Sequence, residues 1–138
     1  MTPHAAVPDK DGYVAPPLVG VWASAPYFHN GSVPTLDTVL NSEQRPEIWA
    51  RDNRDPAAYD LDRVGMRYRS LSRGEFEKSA ADAKGKSFIS QAAIDHGAIY
   101  DAKGLGHGNT GHTFGDRLTP DERRAVIEFL KSLSGPDM

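Results

Sequence analysis

The chain has 138 residues, room for one domain with a moderate core, and its 13 glycines and 10 prolines beside 38% hydrophobic residues predict long irregular connections. Sixteen Lys and Arg against 19 Asp and Glu leave a net charge of −3, which argues against a general nucleic-acid or anionic-membrane surface, since either needs clustered cations. There is no cysteine, so disulfides, thiolate zinc sites, iron–sulfur clusters and thiol nucleophiles are excluded for these residues.

Residues 1–12 read as a flexible lead-in in which His4 is a solvated tail residue. Met1–Gly12 lacks the apolar stretch of a secretory signal and no window has the length of a membrane span, so the chain as written is expected in the cytoplasm. From Tyr13 to Leu40 the chain is rich in turn residues yet carries Trp22, Tyr27, Phe28 and His29, which predicts a stiff, irregular wall pinned against something apolar. Pro16, Pro17 and Pro26 stiffen it, Asn30-Gly31 marks a bend that presents His29, and Ser32 or Thr35 caps a short helix through Leu36, Val39 and Leu40. Residues 41–56 are charged around Ile48 and Trp49 and read as one turn of helix and a loop. Arg45, Arg51 and Arg54 fit a solvated face better than an anion site.

Between Tyr59 and Arg69, Leu61, Val64, Met66 and Tyr68 alternate with polar residues as in a half-buried strand of a short hairpin, with Met66 as core filling or a thioether ligand. Residues 70–87 carry only Leu71 and Phe76 as large apolar groups and read as a surface insertion. Short strands or turns follow over 88–100. His96, His107 and His112 then lie in a glycine-rich run. Gly106–Thr113 spells G-x-x-x-x-G-H-T, a phosphate-loop pattern with the lysine missing and no helix directly after it, and it carries little weight. Two or three of these histidines could instead hold a mononuclear zinc, copper or iron ion. The last element is the plainest: Thr119 as N-cap, Pro120 at the first helical position and Glu122 as capping-box partner open a helix through Lys131, with Val126, Ile127, Leu130 and Leu133 on one face and Ser134-Gly135-Pro136 as its stop. Residues 135–138 are a tail.

Two stretches, A-P-Y-F-H-N-G-S-V-P-T-L and G-N-T-G-H-T-F-G-D-R-L-T-P-D-E-R-R-A-V-I-E-F-L-K-S-L, resemble segments of the di-haem cytochrome c peroxidase superfamily, most of all the branch that contains bacterial rubber oxygenases. That resemblance implies a mainly α fold with much irregular loop: a cytochrome c-like C-terminal half-domain over 13–134, with a short β-hairpin. It implies haem c as cofactor, an axial iron ligand at His112 with Met66 as the alternative, and a pocket wall of His29, Trp22, Tyr27, Phe28 and Phe114. The family attaches haem through C-x-x-C-H, which this chain lacks, so it implies a partner: a missing N-terminal cytochrome portion or another redox protein. Electron transfer or peroxide and oxygen chemistry in a periplasmic or secreted parent is the expected function. The competing readings are a non-haem histidine metal site and a non-enzymatic interaction domain.

Overall fold

In the computed structural model, residues 17–52, 55, 57–82 and 99–133 are described. The readings of His4, His96, Arg54 and the two termini lie outside them. Thr35 stands extended and its hydroxyl accepts from Thr38 N at 3.2 Å, which opens α1 (Leu36–Val39) by satisfying one of the amides a helix start leaves unpaired. A 3-10 turn at Ser42–Gln44 leads into β1 (Ile48–Arg51). Next, β2 (Tyr59–Asp60) and β3 (Gly65–Met66) pair as a two-stranded hairpin. After it, β4 (Tyr68–Ser70), α2 (Arg73–Asp82), β5 (Ile99–Asp101) and α3 (Pro120–Ser132) complete the order. The larger sheet is antiparallel in the order β4-β1-β5, with Trp49 opposite Ser70 on one side and Tyr100 on the other.

The expectation of a mainly α fold is therefore corrected. The described residues hold three α-helices, one of them a single turn, against five strands in two sheets. The stretch read as one turn of helix and a loop over 41–56 has a helical turn at Ser42–Gln44 but also contains the central strand. Ile48 and Ala50 point into one apolar cluster with Ile99, Leu71 and Phe76, while Trp49 points the other way and stacks on Tyr100 at 5.8 Å. A short strand buried on both faces shows no alternation of apolar and polar residues, so periodicity had nothing to detect. The supposed surface insertion carries α2, whose Phe76 helps cover that cluster, and Arg73 ties it down through Asp101 at 2.5 Å and Glu47 at 2.7 Å.

The second core is Tyr27, Val33, Leu36, Val64 and Ile127, with Val21, Trp22 and Leu130 against it. It is built where α3 crosses α1 and the 3-10 turn Val21–Ala23, so the apolar stripe of α3 is covered by the proline-rich wall. Thr119 and Glu122 form the predicted capping box. Gly65 is obligatory there, because a Cβ would lie 2.6 Å from Thr35 Cα and press on the Pro34 carbonyl.

Candidate functional site

The bend at 27–33 separates two aromatic rings. Tyr27 and Val33 pair across it, with Tyr27 N donating to Val33 O at 2.7 Å, and Phe28 takes a left-handed backbone conformation at φ 66°. Tyr27 is buried in the core, whereas Phe28 is half-buried at its edge, where it packs on the same cluster and also reaches His112. The Tyr27 hydroxyl reaches Val21 O at 3.2 Å and the Tyr59 hydroxyl at 3.3 Å, and Tyr59 in turn donates to Trp22 O. Burial, then the contact with Tyr59, pushes the Tyr27 phenol up, so it is a neutral structural group. Asn30 closes the bend by accepting from Ser32 N at 3.1 Å.

Polar side chains from this region hold the glycine-rich loop. Asn30 Nδ2 donates to Gly106 O at 3.1 Å and Gly108 O at 2.9 Å. Arg45 Nε donates to Thr38 O (2.9 Å), Nη1 to Asn109 O (2.7 Å) and Gly111 O (2.5 Å), and Nη2 to Val39 O and His112 O (both 2.9 Å). Asn109 Nδ2 donates to Pro46 O at 3.0 Å, and Asp116 accepts from Ser42 N at 2.8 Å and Ser42 Oγ at 2.6 Å. Those two bonds, the side-chain one first, hold the Asp116 carboxyl below its ordinary value. Burial lowers the Arg45 guanidinium, opposed by the Asp116 charge, yet an arginine stays cationic throughout the working range.

The outcome is a surface cluster of rings. His112, itself left-handed at φ 57°, lies 4.8 Å from the Phe28 ring, 6.4 Å from His29 and 6.5 Å from Phe114. His29, His112 and Phe114 are exposed, Phe114 by 89%. Phe28, His29, His112 and Phe114 are thus brought together. Tyr27 is not, because it faces the core. Trp22 packs on that core with its Nε1 buried and without a hydrogen-bond partner among the described residues. Met66 sits in the β2–β3 hairpin and lines a separate cavity of about 220 Å³ with Arg51, Arg67 and Tyr59. His107 leans on Tyr100 at 4.9 Å and its Nδ1 is 3.2 Å from Asp101 O. Among the described residues no three His, Asp or Glu side chains converge as a metal site. Asn30 was legible as part of the bend, but sequence reasoning missed it, together with Arg45, Asn109 and Asp116, as a holder of the glycine-rich loop. Most of their partners are backbone carbonyls, which leave no trace in residue types.

The wall that opens this site is where similarity to known proteins begins. Residues 12–50 match the family model described as RoxA-like, cytochrome c-like. The cytochrome c-like match thus covers the bend, α1, Arg45 and most of β1, which is the relationship expected from A-P-Y-F-H-N-G-S-V-P-T-L. Two relatives come from Sinorhizobium fredii (strain NBRC 101917 / NGR234). The chain is 34% identical to the uncharacterized protein y4iJ over 88% of its own length, and 36% identical to the uncharacterized protein y4iM over 76%. It spans only 18% and 20% of those two proteins. Among the described residues no helix is long and apolar enough to cross a membrane.

A cytochrome c-like relationship suggests a haem-associated role, and the chemistry of the ring cluster is compatible with such a group. His112 is exposed, and exposed Phe114 and half-buried Phe28 offer apolar edges beside its ring. A Cβ built on Gly106, Gly108 or Gly111 meets nothing within 4 Å, so the outer face of the loop is open to a flat group. Without cysteine these 138 residues cannot make the thioether bonds of haem c.

Proposed function

We propose that this chain is the part of a cytochrome c-like redox protein that closes one face of a haem and supplies His112 as an axial ligand. The observation that carries the reading is the His112 imidazole, exposed and fixed among Phe28, His29 and Phe114 inside a loop tied to the cytochrome c-like segment. Bound haem would supply reversible one-electron chemistry. The chain's residues would do the rest: His112 presents a ring nitrogen, Phe28 and Phe114 exclude water from the ring's flanks, and His29 stands at 6.4 Å as a polar neighbour rather than a ligand. The thioether cysteines and the opposite ligand come from a separate segment or partner with C-x-x-C-H. A parent of the di-haem peroxidase type, exported and acting on peroxide or dioxygen, is the setting in which this arrangement works.

The test is an optical titration of the chain with a ferric haem c peptide that carries C-x-x-C-H and one histidine ligand. The wild-type chain is expected to convert the peptide from high to low spin with a saturable, one-to-one Soret change. His112→Ala is expected to abolish the conversion, while His29→Ala and His107→Ala keep it. Equal conversion by wild type and His112→Ala would end the assignment.

A further inference from the structure

All five N–H donors of the Arg45 guanidinium are used, and all five go to backbone carbonyls. Two of these, Thr38 O and Val39 O, are among the carbonyls that the C-terminal end of α1 leaves without helical partners. The other three, Asn109 O, Gly111 O and His112 O, belong to the loop. The same guanidinium lies 4.9 Å over the Phe28 ring. One planar cation therefore joins the end of α1, the ring that flanks His112, and the backbone of His112 itself.

This arrangement answers a specific need. A histidine at φ 57° occupies a region that L-residues populate sparingly, and glycines surround it. Left alone, such a segment samples many conformations. The structure instead fixes the carbonyls before and after the His112 Cα, Gly111 O and His112 O, from one rigid fork. A lysine could not substitute: its ammonium has three donors at a single point, whereas the five acceptors here lie around a plane.

We propose that Arg45 is the positioning residue for His112, setting the orientation of its imidazole and the Phe28–His112 ring contact through the guanidinium fork rather than through charge. Its bearing on haem rests on the function proposed above; its effect on the ring geometry does not. Arg45 acts as an outer-shell support, a class whose removal typically costs about 10–100-fold in metal affinity.

Two readouts on the intact chain decide it. In the haem-free protein, nuclear magnetic resonance of the His112 ring protons reports the ring current of Phe28. Arg45→Ala and Arg45→Lys are both expected to collapse that shift while the Trp49 indole and Ile127 methyl resonances keep their native positions. With the ferric haem c peptide, both variants are expected to bind about 10–100-fold more weakly than wild type. An unchanged His112 ring shift in both variants overturns the proposal, as does full rescue by Arg45→Lys, which would assign the effect to charge. Loss of the Trp49 and Ile127 signals together with that of His112 also overturns it, by making Arg45 a general stabiliser. If the wild-type chain fails to bind the peptide, the haem reading falls while the ring-current measurement still decides the role of Arg45.

Discussion

Gly115 is buried, and a Cβ built on it would lie 2.6 Å from both the Cα and the carbonyl oxygen of Leu40. Gly111, four residues earlier, would meet nothing. The two glycines flank His112 within one glycine-rich run and look alike in sequence. In the structure one of them makes room for the backbone just after α1 and the other faces open space. Gly115→Ala is expected to lose about 1–3 kcal/mol through forced displacement of a packed contact, and Gly111→Ala to stay within about 0.5 kcal/mol. Urea denaturation followed by Trp fluorescence separates them, and equal midpoints for the two variants would contradict the account. His112 itself was legible as a candidate because histidine chemistry and glycine spacing are written in residue types. Its guanidinium support was not, because backbone carbonyls carry no residue-type signal.

Among the elements, α3 is the one whose sequence says most. Its cap, first-turn proline, acidic start and apolar stripe all lie within fifteen residues, and each is used as read. Thr119→Ala is expected to remove the hydroxyl that accepts from Glu122 N and to lower stability by about 1 kcal/mol. Thr119→Ser should restore most of it, and a thermal melt showing no loss for the alanine variant would count against the cap. β1 is the opposite case. Its partners are Tyr68–Ser70 and Ile99–Asp101, far along the chain, and its residues pack on both faces, so neither local propensity nor alternation exposes it. The hairpin read over 59–69 exists in part as β2–β3, yet Tyr68 belongs to β4 beside β1, and Leu61 lies in the turn between β2 and β3, 63% exposed rather than half-buried.

At the scale of the whole molecule, the described residues form two apolar clusters, and the ring cluster is attached mainly by polar contacts. The Ser42–Asp116 contact among them is acid-labile, and so by the same mechanism are the Arg73 contacts that hold α2 down. Hydrogen bonds from Ser42 hold Asp116 below its ordinary 3.8, and hydrogen bonds from Arg73 do the same for Asp101, whose ordinary value is also 3.8, and for Glu47, ordinarily 4.5. Since the folded state binds these protons less readily than the unfolded state, the stabilisation is fully present above about pH 4.5 and is lost as pH falls through the depressed folded values. Loop amides between 106 and 116 are therefore expected to gain hydrogen exchange below pH 4, with Ser42→Ala shifting the onset upward. Exchange independent of pH between 5 and 3, once corrected for intrinsic rates, would contradict this. On the proposed function, His112 is the iron ligand. Paramagnetic proton resonance of the ferric haem c peptide bound to the wild-type chain tests it most directly. One histidine ring of this chain, assigned to His112, is expected to shift far outside the diamagnetic range; the same shifts on His29 or His107, or on the Met66 methyl, would rule His112 out as the ligand.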